Sequence, residues 1–158
     1  MKRELRRFSR MVRRTARKNN VKGLSAFVHH GNATRYTHSV AVAYVSSKIA
    51  DLLRIPCDKK SLIRGALLHD YFHYRWQDDP KKYRLHGFTH PKTALKNAEQ
   101  DFRLTPIERD IIKKHMFPLT LRPPRYRESY LVSAADKICA VYEFFSKDPY
   151  KRLTRLFK

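Results

Sequence analysis

An all-α fold, a single bundle of about five to seven helices with a basic helix at its N-terminus, is what this chain predicts, on three observations. Apolar residues recur at helical spacing in segment after segment, from Leu5, Phe8 and Val12 near the start to Leu131, Val132, Ala135 and Cys139 near the end. Only four glycines occur in 158 residues, and no convincing strand pair joined by a turn signal is present. Start and stop signals, among them Thr34, Pro56, Thr105-Pro106 and Pro118, separate the helical segments. A chain of this length suits one domain with one core and short appendages, and it shows no internal repeat.

Residues 3–18 place Leu5, Phe8, Val12 and Thr15-Ala16 on one face of a basic amphipathic helix, which Asn19-Asn20 and Gly23 end. Thr34 caps a long helix to about Leu53, with His38, Ala41, Val42, Val45, Ile49 and Leu52 on one side. After Pro56 the next helix is expected from Asp58 or Lys59 to Phe72, placing Leu62, Ala66, His69, Asp70 and His73 together. Residues 74–90, rich in charge and aromatics, read as a long surface loop bordering a pocket. Pro91 suits the first position of a helix to about Phe102, with His90 at its start. Thr105-Pro106-Ile107-Glu108 is a capping box opening a short helix to His115. Residues 121–125 are extended, and a last long helix from about Glu128 to Phe145 carries Leu131, Val132, Ala135, Asp136, Cys139 and Tyr142 inward. The basic tail 151–158 is expected to be helical, and the division is a basic arm at 1–22 followed by one domain at 23–158 with its core at 34–145.

Composition narrows the setting. No stretch approaches the roughly 20 apolar residues of a membrane helix, so no membrane span is expected. Cys57 and Cys139 stand far apart, outside any C-x-x-C spacing, as free thiols in a reducing compartment would. The N-terminus lacks the apolar stretch of a secretory signal, so the expected location is cytoplasmic. The net charge is +21, with ten Lys/Arg against one acid in residues 1–22. That segment is suited to RNA, DNA, an acidic partner or anionic lipid, or is a solvated face. No RNP motif, zinc-finger spacing or Gly-rich KH loop accompanies it.

The most informative element is His69-Asp70, an ionisable pair inside the apolar run from Leu67 to Phe72. Burying such a pair without a partner costs several kcal/mol or forces neutralisation, and a bound cation removes the difficulty. His38 upstream and Asp136 downstream lie on core-facing stripes of other helices.

The ordered set His38, His69-Asp70, Asp136, together with the blocks Arg35-Tyr36-Thr37-His38-Ser39-Val40-Ala41-Val42 and Gly65-Ala66-Leu67-Leu68-His69-Asp70-Tyr71, resembles the HD superfamily of metal-dependent phosphohydrolases over roughly residues 34–145. The resemblance implies an HD-domain helical bundle and a first metal held by His38, His69, Asp70 and Asp136. His90 and His115 fall where the two-metal branches place two further histidines, an order similar to the diadenosine tetraphosphate hydrolases and the HD-GYP phosphodiesterases. His86 competes with His90 for that place. Imidazole and carboxylate together suit one or two divalent ions of Mn, Fe, Co, Ni or Zn. If Asp70 bridges two of them, a shared hydroxide stands ready to attack phosphorus.

Two departures bear on substrate. His73 stands where related proteins commonly carry a lysine three positions after the motif aspartate, and is read as a phosphate ligand, a proton donor to the leaving group, or a packing residue. The GYP element is absent, which weakens the case for a cyclic dinucleotide. Catalytic candidates are Asp70, His73 and Arg35. Phosphate-binding candidates are Arg35, His73, Lys114, Arg122 and Arg125, with Lys137 weaker, while Tyr71, Trp76 and Tyr83 are placed to stack a base or cover core.

The expected activity is hydrolysis of a phosphate ester or anhydride of a small nucleotide-like metabolite. A mononuclear 5′-nucleotidase-like enzyme and a basic nucleic-acid-binding protein with a residual HD site are the rival readings. Zinc-protease and deaminase signatures, G-x-S-x-G, Walker A and Rossmann glycines are missing.

Overall fold

The computed structural model describes residues 2–17, 19–28, 32–74, 78, 81, 84–147, 149, 150 and 153. These form α1 (Lys2–Ala16), a 3-10 segment (Asn19–Ala26), α2 (Arg35–Leu52), α3 (Lys59–Leu68), α4 (His86–Asp101), α5 (Pro106–Lys114) and α6 (Arg127–Phe145), with no strand among the described residues. One isolated bridge pairs Val28 with Thr34 just before α2. The fold is therefore all-α, as the periodicity predicts.

The caps sit where the side-chain chemistry places them. Thr34 Oγ1 accepts from the Thr37 N–H at 3.2 Å while Thr37 Oγ1 accepts from the Thr34 N–H at 3.0 Å. Asp58 caps α3 through the N–H groups of Lys60 and Ser61. At α5 the Thr105 and Glu108 side chains satisfy each other's backbone donors, with Pro106 in the first turn. Each such cap contributes about 1 kcal/mol and sets where the helix begins.

Helix α2 lies at the centre, buried on nearly every side from His38 to Ala43, and packs on α3 and α6. Helix α5 packs on α3, α4 and α6, while α1 covers α3 and the 3-10 segment. Phe8 and Val12 join the main core with Val42, Leu62, Leu67, Ile111 and Val132. A second cluster gathers Ala16, Leu24, Leu68, Tyr71, Phe72, Ala94 and Ile112. Removing each large apolar side chain from water contributes about 1.5–3 kcal/mol, so α1 is held to the domain by its own apolar face.

Several expectations are corrected. Helix α3 stops at Leu68 rather than Phe72, because the His69 ring Nδ1 donates at 2.7 Å to the Ala66 carbonyl, which would otherwise accept from the Asp70 N–H. His69 and Asp70 thus form a turn just past the helix. Helix α4 starts at His86, one turn before Pro91, and carries the proline inside its second turn. Helix α1 ends at Ala16, close to the expected stop, and the residues Asn19–Ala26 expected as its end signal form a separate 3-10 segment with a kink at Asn20. Leu52 and Tyr142, read as core-facing, are 82% and 51% exposed. The expected tail helix at 151–158 lies outside the described residues apart from Leu153, as do His29, His30, Trp76 and Tyr83. No helix among the described residues is long and apolar enough to cross a membrane.

Candidate metal centre

Six side chains from five elements converge at one end of the bundle: His38 of α2, His69 and Asp70 just after α3, His90 of α4, His115 just after α5, and Asp136 of α6. All six are buried. Three overlapping triplets bring ligand-capable atoms within 4.8 Å of one another: His38, His69 and Asp70; His69, His115 and Asp136; Asp70, His90 and His115.

The histidines are oriented by one shared device. His69 Nδ1 donates to Ala66 O at 2.7 Å, His90 Nδ1 to His86 O at 2.8 Å and His115 Nδ1 to Ile112 O at 2.9 Å. Each ring is thereby tied to a carbonyl of its own helix, three or four residues back. His38 Nδ1 instead meets a carboxylate, Glu143 Oε1, at 2.7 Å. With Nδ1 committed in all four rings, every Nε2 is turned toward the shared interior, which is how protein histidines are held for metals.

That interior is poorly satisfied by the protein alone. His69 Nε2 makes no hydrogen bond and stands 3.6 Å from Asp136 Oδ1 and 3.7 Å from Asp70 Oδ2. His90 Nε2 and His115 Nε2 face each other at 2.8 Å. Two lone pairs at that distance repel unless a proton or a cation stands with them. A buried nitrogen without a partner loses its hydration uncompensated, at about 1–3 kcal/mol. The donor set, four imidazole nitrogens and two carboxylates, fits one or two borderline divalent cations.

Asp70 divides the cluster. Its Oδ1 lies 3.2 Å from His90 Nε2 and 3.6 Å from His115 Nε2, while Oδ2 faces His69. Asp136 Oδ1 serves the other side, 3.0 Å from His38 Nε2. The electrostatics separate likewise. Burial alone would lower the pKa of His38, but its hydrogen bonds to Asp136 and Glu143 outweigh that and lift it to about 10. Burial also disfavours charge on His69, where the Asp70 and Asp136 carboxylates prevail and raise it. His115, buried and near His69 and His90, is held down to about 3 and stays neutral. Asp136 is buried too, yet its hydrogen bond with His38 and the nearby His69 imidazole keep it well below the usual carboxylate range.

The remaining sequence candidates lie elsewhere. Arg35 is fully buried, donating to Phe72 O at 2.7 Å and Tyr74 O at 3.2 Å, with its guanidinium carbon 3.8 Å from the Phe72 ring centroid. As placed, it fastens the segment after Asp70 to α2. His73 turns away toward the 3-10 segment, its Nε2 3.3 Å from Asn20 O. Lys114 pairs with Asp110 at 2.9 Å, while Arg122 and Arg125 are exposed. His86 stacks on the His90 ring at 4.6 Å instead of joining the cluster. Lys137, the weaker candidate, donates to His115 O at 3.0 Å and closes the end of α5.

Glu143 escaped the sequence reading. Its signal was its register: seven residues after Asp136, it shares a helical face with Val132 and Cys139, and it is fully buried.

A helical bundle closed around a buried histidine–carboxylate cluster defines a class, and comparison supplies the family. The HD domain model matches residues 35–141, well over half of the chain, and the chain belongs to the HD-domain family. No curated protein and no solved structure matches it. HD domains are generally hydrolases that bind divalent metals, and the histidine and aspartate groups here have the donors to hold one.

Proposed function

We propose that this protein hydrolyses a phosphate ester or anhydride of a small nucleotide-like metabolite, at a centre where Asp70 would help to hold two divalent cations. The observation that carries this reading is the division of Asp70, with one oxygen toward His69 and the other toward His90 and His115. His38, His69 and Asp136 would complete one cation site and His90 with His115 the other. A bound divalent ion supplies Lewis acidity toward phosphoryl oxygens and an acidified water. The chain's own residues hold that chemistry in place: Ala66, His86 and Ile112 carbonyls fix three rings, and Glu143 fixes the fourth. Asp136, the most open of the six, would hold its cation as a carboxylate kept ionised by the His38 imidazole at 3.0 Å.

Elemental analysis of protein purified without added metal or chelator, beside Asp70→Ala, tests the reading. Near two transition-metal ions per chain, lost in the variant, with hydrolysis of nucleotides or dinucleoside polyphosphates, is the expected result. One ion per chain favours the mononuclear nucleotidase, and none after reconstitution with Mn, Fe or Co overturns the proposal.

A further inference from the structure

A groove of about 690 Å³ runs between α1, the first half of α3 and the residues following α4, built from side chains that take no part in the metal cluster. Its walls carry Arg7, Arg10 and Arg14 on one side and Lys60, Arg64 and Arg103 on the other. One acid, Asp101, stands among them and accepts the Tyr71 hydroxyl at 2.6 Å. Arg64 is partly neutralised by Glu108 at 3.2 Å. Beneath the cations, Ile63 and Phe102 supply an apolar floor.

We propose that this groove binds the phosphodiester backbone of a single nucleic-acid strand. Arg7, Arg10 and Arg14 share one helical face, and the rise of about 1.5 Å per residue spaces them about 4.5 and 6 Å apart along the axis. That is the scale of the step between successive phosphates of one strand. Facing cations give the strand a channel rather than a flat patch, and the apolar floor offers sugars and bases a surface, the combination that strand-tracking grooves use. A lipid surface fits less well. An interfacial helix must bury its apolar face in the bilayer, whereas the apolar face of α1 is already spent inside the protein, with Phe8 and Val12 at 6% and 0% exposure. The strong net charge of +21 adds steering toward any polyanion but does not by itself create a groove.

Fluorescence anisotropy with a short labelled RNA or DNA strand tests the proposal. Affinity is expected to fall steeply with salt, with a log–log slope of about −3 to −4 for roughly five neutralised phosphates. Replacing Arg7, Arg10 and Arg14 together by Gln should weaken binding about 30-fold near 0.1 M salt and flatten the slope by about two. Lys60→Gln with Arg103→Gln, on the opposite wall, should also weaken it. Removing equal charge outside the groove, at Arg6, Arg13 and Arg17, should change affinity less than about threefold. Equal losses from the groove and the outside triples would mean diffuse attraction and overturn the proposal. So would a matching loss in Asp70→Ala, which would place the strand at the metal cluster. Co-sedimentation with phosphatidylserine vesicles that depends on the groove arginines more than strand binding does would assign the groove to lipid and overturn it as well.

Discussion

His38 Nδ1 and Glu143 Oε1 lie 2.7 Å apart with both side chains sealed from solvent, so one candidate cation ligand is oriented by a carboxylate from α6, 105 residues away. A carboxylate behind a ligand histidine fixes the tautomer and raises its basicity. Glu143→Gln keeps an acceptor but removes the charge, and is expected to lower metal affinity about 10- to 100-fold. Competition against a chromophoric chelator measures this. An unchanged affinity would reduce Glu143 to a packing role.

Metal uptake is expected to depend on pH through His38. Its pKa is held near 10 by Asp136 and Glu143, so the metal-free protein carries His38 protonated at neutral pH. A cation must displace that proton, and binding therefore strengthens as pH rises, by up to about tenfold per unit around neutrality. His115, held down to about 3, is already neutral there and contributes no proton. Calorimetry in buffers of different ionisation enthalpy should find about one proton released per first cation bound. Uptake that does not vary with pH would show that His38 is neutral before the metal arrives.

Arg35→Lys separates a structural role from substrate binding. The guanidinium reaches two carbonyls and lies over an aromatic ring, a combination that a lysine ammonium cannot reproduce. The variant is expected to lose about 2–3 kcal/mol in urea unfolding. A variant with wild-type stability and weakened substrate affinity would return Arg35 to the phosphate role suggested by its position one turn before His38.

Gly65→Ala should destabilise despite the gain of about 1 kcal/mol in helix propensity. A Cβ at Gly65 would stand 2.5 Å from Ile111 Cδ1, where α3 crosses α5. Relieving that overlap is expected to cost about 1–3 kcal/mol. Thermal melts of Gly65→Ala, Ile111→Val and the pair should show coupling, with Ile111→Val recovering part of the loss. Additive effects would mean that the two helices yield without strain.

The sequence by itself determined the helices and much of the candidate centre. The 3.6-residue periodicity, the Thr34 and Thr105–Glu108 caps and the order His38, His69-Asp70, His90, His115, Asp136 are local or ordinal properties, readable without coordinates. Only the tertiary structure decided what depends on contacts between distant segments. The end of α3 at Leu68 follows from a ring–carbonyl bond that competes with the backbone ladder. The choice between His86 and His90 follows from where α4 begins, a turn before the proline that seemed to start it. The commitment of Arg35 to Phe72 and Tyr74, the pairing of Glu143 with His38 and the groove between α1 and α3 all arise from packing of remote residues. Periodicity states which face of a helix is buried, but not which group will meet it there.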